Sequence, residues 1–204
     1  MLWCHRKITC TQTLPFAKPP LNAIWISHGR GFGALAVYGP MGPILAHIPF
    51  ILSPDGSFAD FYLARSNAVI QNGVPSQAVL AVTGPDAYIS PDWYGIADQV
   101  PTWNYVAVHL RGTILPLPED MLEPHLDAIS DMFEAKLAPK PIWRSTKMAE
   151  GVMPRMMRMI LPYRLQISTV AGTWKLGQNK PAEARLGAAH ALSDSDLARL
   201  MKEI

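Results

Sequence analysis

The sequence predicts a mainly β fold with flanking helices (α+β), and three observations carry that prediction. Nineteen prolines and fourteen glycines among 204 residues punctuate the chain too often for a helix bundle and favour short strands joined by turns. Between residues 34 and 63, three apolar runs are separated by the turn sequences GPMGP (39–43) and SPDGS (53–57). Strands at such short spacing argue for an antiparallel sheet or barrel. Hydrophobic residues make up 49% and charged residues 17%, so a chain of this length forms one domain with a proper core.

Taken in order, residues 1–20 lack hydrophobic periodicity, end in KPP and read as a loosely ordered arm. Cys4 and Cys10, even with His5, fit no established metal-ligand spacing and lack a fourth ligand. The arm has no continuous apolar stretch and no small-residue cleavage site, so it is a poor signal peptide. The folded domain is expected over 21–192, with a helical tail at 193–204. Residues 21–28, LNAIWISH, give a short apolar helix or turn stopped by Gly29, Gly31 and Gly33. Strands follow at 34–38, 44–52 and 58–63, the first two forming a hairpin across GPMGP. In ARSNAVIQN (64–72), Ser66 or Asn67 stands where a helix N-cap belongs, ahead of apolar Val69 and Ile70.

Residues 77–82 are a fourth strand, apolar throughout and therefore central. In the alternating stretch 104–115, Val106, Val108 and Leu110 point one way and Ala107, His109 and Arg111 the other. A helix is expected over 118–137, with Glu119 and Asp120 in the first turn, where acidic groups suit the helix dipole. After a linker turn at 138–143, a second helix over 148–160 places Met153, Met156, Met157 and Ile160 on one apolar face. A last strand covers 163–170, the motif AGTWKLGQNKP covers 171–181, and a short, mostly polar helix follows from 182.

Several function classes drop out. The net charge is only +2, and Arg155, Arg158 and Arg164 are the nearest approach to a basic face, which a solvated helix explains. No apolar run approaches the ~20 residues of a membrane-spanning helix, which with two cysteines fits a soluble, cytoplasmic protein. GRGFG at 29–33 precedes a strand and has the wrong spacing for a dinucleotide fingerprint. The chain has no serine nucleophile elbow, no HExxH and no His/Cys metal cluster, so no metal ligands are assigned.

The least generic segment is 84–105, GPDAYISPDWYGIADQVPTWNY, with two tryptophans, three tyrosines and three prolines. It reads as an ordered binding excursion between two strands. Tyr88, Ser90, Trp93 and Tyr94 combine stacking faces with hydroxyl donors suited to a planar heteroaromatic ring, and Trp103 and Asn104 add a ring and an amide. GPDAYISPDWY and VPTWNY, together with HIPFIL (47–52), ARSN (64–67) and TWKLGQNKP (173–181), resemble the PaiB-type FMN-binding negative transcriptional regulator family. The resemblance runs from about residue 31 to about residue 192.

That resemblance implies an FMN-binding split β-barrel, related to pyridoxamine-phosphate oxidases, in which two subunits pair and a flavin lies in each groove between them. It implies FMN as cofactor, a homodimer, and a DNA or regulatory partner. The corner after the third strand then becomes the phosphate site, with Arg65, Ser66 and Asn67 as its donors. Read without the resemblance, the same corner is a capped helix beside a solvent arginine. The family writes glycine-histidine where this chain has Phe61 and Tyr62, and serine where it has Gly177. The Tyr62 hydroxyl stands in there as a cofactor contact, but it does not replace an imidazole in proton transfer at neutral pH. His47 is a cofactor or substrate neighbour rather than a general base. Lys175, Gln178 and Asn179 close the constellation with charge and paired donors and acceptors. No catalytic residue is assigned. The alternatives are a flavin-dependent reductase or oxidase of a small planar substrate, and a split barrel that binds haem or another planar ligand.

Overall fold

In the computed structural model, residues 26, 27 and 29–204 are described. The 1–20 arm with Cys4 and Cys10, and most of the 21–28 segment, lie outside the described residues. Six strands are present among the described residues: β1 (Phe32–Gly39), β2 (Gly42–Leu52), β3 (Phe58–Ala64), β4 (Ser76–Ile89), β5 (Thr102–Pro116) and β6 (Ile160–Lys175). They close into an antiparallel barrel in the order β1-β2-β3-β6-β5-β4. Among the described residues the helices after β1 are α1 (Ala68–Gln71), α2 (Leu122–Glu134), α3 (Val152–Met157), α4 (Ala182–Ala191) and α5 (Asp196–Lys202). This is the split β-barrel with flanking helices that the motifs imply.

The barrel follows from period-two patterning. Leu35 and Val37, Ile48 and Phe50, Phe61 and Leu63, Leu80 and Val82, and Val106, Val108 and Leu110 all turn inward and are buried. On β6 the buried set is Tyr163, Leu165 and Ile167, then Val170 and Trp174, so the inward phase shifts by one residue. A bulge makes the shift: Arg111 pairs with Thr169 and Gly112 with Ile167, which leaves Ser168 as the extra residue. A Cβ on Gly112 would stand 1.9 Å from the Gln166 carbonyl oxygen, so only glycine lets the strands approach here.

The structure departs from the sequence reading at four places. First, β4 runs on to Ile89 and β5 starts at Thr102, so the excursion narrows to residues 90–101 around a 3-10 turn, Pro91–Tyr94. Proline lacks the ladder donor, and a bulge between Thr83 and Asp86 carries Gly84 and Pro85 past the interruption. Second, β6 extends through TWK. Gly172 makes this extension workable, because a Cβ there would lie 2.2 Å from the Trp174 ring, which folds back over the glycine. Third, the helix expected over 148–160 shrinks to α3 and buries none of its residues. Gly151 in the left-handed region (φ 74) sets its start, and Ile160 belongs to β6. Fourth, the segment after 182 is not a polar helix: α4 and α5 bury Ala184, Ala188, Ala189, Leu197, Ala198 and Met201. Gly187 allows α4 to seat against the Trp93 carbonyl, 2.8 Å from where its Cβ would be.

The shortest seam of the barrel is between β2 and β3, whose ladder has three rungs, Phe50↔Phe61, Ile51↔Asp60 and Leu52↔Ala59. Pro49 and Tyr62 would form the next rung, but proline has no N–H to donate and the strands part there. Helices α1 and α2 pack across the opening.

Candidate functional site

The first cluster of functional side chains is built where β3 leaves the barrel. Odd-numbered Ala59, Phe61 and Leu63 point inward, so Asp60 and Tyr62 face outward beneath α2. Asp60 takes a bidentate grip from Arg164 on β6, with Nε to Oδ1 at 2.6 Å and Nη2 to Oδ2 at 2.7 Å. The Arg164 guanidinium also lies 3.6 Å from the Phe58 ring centroid, and the carboxylate hydrogen bond raises its pKa. The Tyr62 ring meets the edge of His125 from α2 at 6.2 Å between centroids and 76° between planes. His125 is buried, and its Nε2 has no hydrogen-bond partner. Burial pushes its pKa below the ordinary value, partly offset by the Asp60 carboxylate.

The exit itself carries Arg65, Ser66 and Asn67. Arg65 donates from Nε to the Arg158 carbonyl and from Nη2 to Glu119 Oε2, each at 2.8 Å, while its backbone N–H bonds the Met159 carbonyl at 2.9 Å. Asn67, rather than Ser66, is the N-cap of α1, accepting from the Val69 N–H at 3.0 Å. Ser66 is exposed. His47 is also exposed, on the outward face of β2, stacked with Phe32 at 6.4 Å.

The second cluster sits at the opposite end of the long strands. Tyr88 and Trp103 are cross-strand partners, both exposed, edge to face at 6.3 Å. Trp93 is half-buried in the 3-10 turn, and Ser90 caps that turn without a side-chain bond. Lys175 donates to Thr102 Oγ1. Lys180 reaches Gln99 and lies 5.2 Å from the Tyr94 ring centroid, while burial raises the Tyr94 pKa. Two expected ligands are occupied by the fold. Asn104 is buried and turned toward α5, with its Nδ2 3.6 Å from the Met201 sulfur. Gln178 braces its own loop, accepting from the Leu176 N–H and donating to the Trp174 carbonyl. Asn179 is exposed beside them.

The expected site residues thus fall into two sets. Pro162, the rung partner of Tyr62, lies near the start of β6, and Lys175 ends it. Thirteen residue steps of strand separate them, a contour of about 43 Å. That contour is longer than one flavin mononucleotide. Sequence reasoning missed His125 and Glu119. His125 carried a signal, since it shares the stripe Leu122, His125 and Ile129 that α2 buries. Glu119 carried none beyond its place in a first turn. Among the described residues no group of His, Cys, Asp and Glu is arranged to hold a metal, and no helix is long and apolar enough to cross a membrane.

The donor chemistry of both clusters fits a phosphorylated planar group. The first offers an exposed guanidinium, a hydroxyl and an unpartnered buried imidazole nitrogen; the second offers ring faces and an ammonium. Comparison with known proteins runs the same way. The chain is 28% identical over 154 residues to the protease synthase and sporulation protein PAI 2 of Bacillus subtilis, covering 74% of this chain and 73% of that protein. Its fold matches a conserved hypothetical protein, Rv2991, from Mycobacterium tuberculosis (TM-score 0.59, 12% identity, 84% of this chain and 94% of that one). It also matches an FAD and haem binding protein from Mycobacterium smegmatis (TM-score 0.55, 15% identity, 84% and 78%). The family described as "Putative FMN-binding domain" matches residues 17–169, and the chain belongs to this PaiB-type family of FMN-binding split barrels.

Proposed function

We propose that two copies of this chain pair to hold FMN in grooves between them. In each groove Arg65, Ser66 and Asn67 of one copy would take the phosphate. Tyr88, Trp93, Trp103 and Lys175 of the other would frame the ring. The observation that carries this reading is the separation of the two donor sets along β6, which leaves each set half a site. The outer wall supports it. Ala34, Ala36, Val79, Ala81, Ala107 and Ala171 present small, partly exposed side chains around the exposed His109 and Arg111, a wall that a second copy can cover. When bound, FMN supplies two-electron redox chemistry; this chain's residues bind and orient it. The similarity to PAI 2 supports a regulatory role, with the flavin as a redox or metabolite sensor rather than as the centre of a turnover reaction.

The test is a fluorescence titration of the purified protein with FMN, riboflavin and FAD, together with its mass in solution. Quenching at one FMN per chain in a dimer supports the reading. A monomer that leaves micromolar FMN unquenched overturns it. A Soret band in the purified protein would assign the groove to haem.

A further inference from the structure

The partners of Arg65 go further than its presence at the phosphate end. We infer that Glu119 is an internal competitor for the Arg65 guanidinium, occupying the position a phosphate oxygen would take and thereby setting the affinity for phosphorylated ligands. The inference rests on the flavin-phosphate reading above and deepens it.

A guanidinium grips phosphate through two adjacent N–H groups. In Arg65, Nε is spent on the Arg158 carbonyl and Nη2 on Glu119 Oε2. A phosphate gripping through Nη1 and Nη2 has to share Nη2 with the Glu119 carboxylate and sit against its like charge until Glu119 lets go. The Arg158 contact is structural. It joins the adjacent bond from the Arg65 N–H to the Met159 carbonyl and fixes the arginine against the corner between α3 and β6. The Glu119 contact is the exchangeable one, since the two side chains are 45% and 69% exposed and such pairs are weak and open to water.

The carboxylate is nevertheless delivered to this spot by the fold. Leu117 donates to the Pro162 carbonyl at 3.1 Å and Met121 to the Pro118 carbonyl at 3.1 Å, which pins the turn carrying Glu119 beside the rung partner of Tyr62. Glu119, Glu123 and Arg158 line one hollow of about 360 Å³ between that turn and α3. A phosphate arriving at Arg65 therefore meets a carboxylate that competes with it for Nη2, and a released Glu119 has this hollow, which Arg158 also lines, to move into. A ligand without phosphate has no need to displace it.

The experiment compares FMN and riboflavin affinities in wild type, Glu119→Gln, Arg65→Ala and the double variant, with melting curves to confirm that each is folded. Glu119→Gln keeps the side chain's size and removes its charge at an exposed position. It is expected to tighten FMN about three- to tenfold and leave riboflavin unchanged, and the gain should vanish in the Arg65→Ala background. An unchanged FMN affinity, an equal gain for riboflavin, or a gain that persists without Arg65 overturns the inference while leaving flavin binding intact. Wild type that binds FMN no better than riboflavin, with Arg65→Ala silent, overturns the phosphate reading itself.

Discussion

The separation of the two donor sets makes a quantitative prediction about mixed dimers. Arg65→Ala removes a charge-assisted contact from the phosphate end, and Lys175→Ala removes the ammonium from the ring end. Each loss costs about 1.5–3 kcal/mol, or roughly ten- to hundredfold in affinity, so at an FMN concentration between the two regimes either homodimer is silent. If each groove takes Arg65 from one copy and Lys175 from the other, a heterodimer of the two variants has one groove with both residues intact and one with neither. Co-expression with two affinity tags isolates that species. It should bind about one FMN per heterodimer at close to wild-type affinity, read by flavin fluorescence. Within a single chain the arithmetic differs, because both sites would then carry one defect and the heterodimer would be as silent as its parents. Silence in the mixed species refutes the shared groove, and failure to isolate a mixed species refutes the pairing.

Four further outcomes follow from the geometry. Arg164→Ala strands Asp60 and removes the cation from the Phe58 ring; it should cost about 2–3 kcal/mol in urea unfolding, with Arg164→Lys recovering only part because it lacks the fork. Gly112→Ala forces a Cβ into the Gln166 carbonyl and should destabilise by about 2–4 kcal/mol, whereas the exposed Trp103→Ala should leave the melting temperature nearly unchanged and weaken FMN. Asp55, held by the Ser53 hydroxyl and then by Ser57, titrates at about 2 rather than 3.8; its contribution to stability is complete above pH 3.8 and is lost as pH falls through 2, a midpoint that carboxyl NMR reads directly. His125 is depressed by burial, so its neutral form stabilises the fold above the ordinary 6.5 and that contribution declines as pH falls below it. His125→Gln should flatten the pH dependence of unfolding between 7 and 5.

Much of the barrel was legible because its strands alternate cleanly and its turns are spelled in proline and glycine. Val106, Val108 and Leu110 turn inward as their spacing requires. The errors share a cause, which is that local chemistry was read where tertiary packing decides. TWK looks like loop sequence until Gly172 is seen making room for the Trp174 ring. The methionine-rich stretch has helical periodicity, yet Gly151 and the pairing of Ile160 with Ala64 leave it a short, unburied α3. In α4 and α5 the many alanines and charges hide a buried seam, because alanine counts for little in a hydrophobicity reading and packs tightly in a core.

The site was legible in residue type but not in arrangement, and the difference matters for how the chain works. A one-dimensional reading put Arg65 and Lys175 in one constellation, since a cofactor needs both kinds of contact. The β3 exit that carries Arg65 lies beside the start of β6, and Lys175 lies at its end. Asn104 and Gln178 have suitable donors, and the fold engages them with α5 and with the loop after β6. Position 62 holds a tyrosine, and an imidazole reaches it from α2, where His125 meets Tyr62 edge to face. Because α2 follows directly on the turn that holds Glu119, the carboxylate on Arg65 and the histidine on Tyr62 come from one continuous segment that packs over β2 and β3.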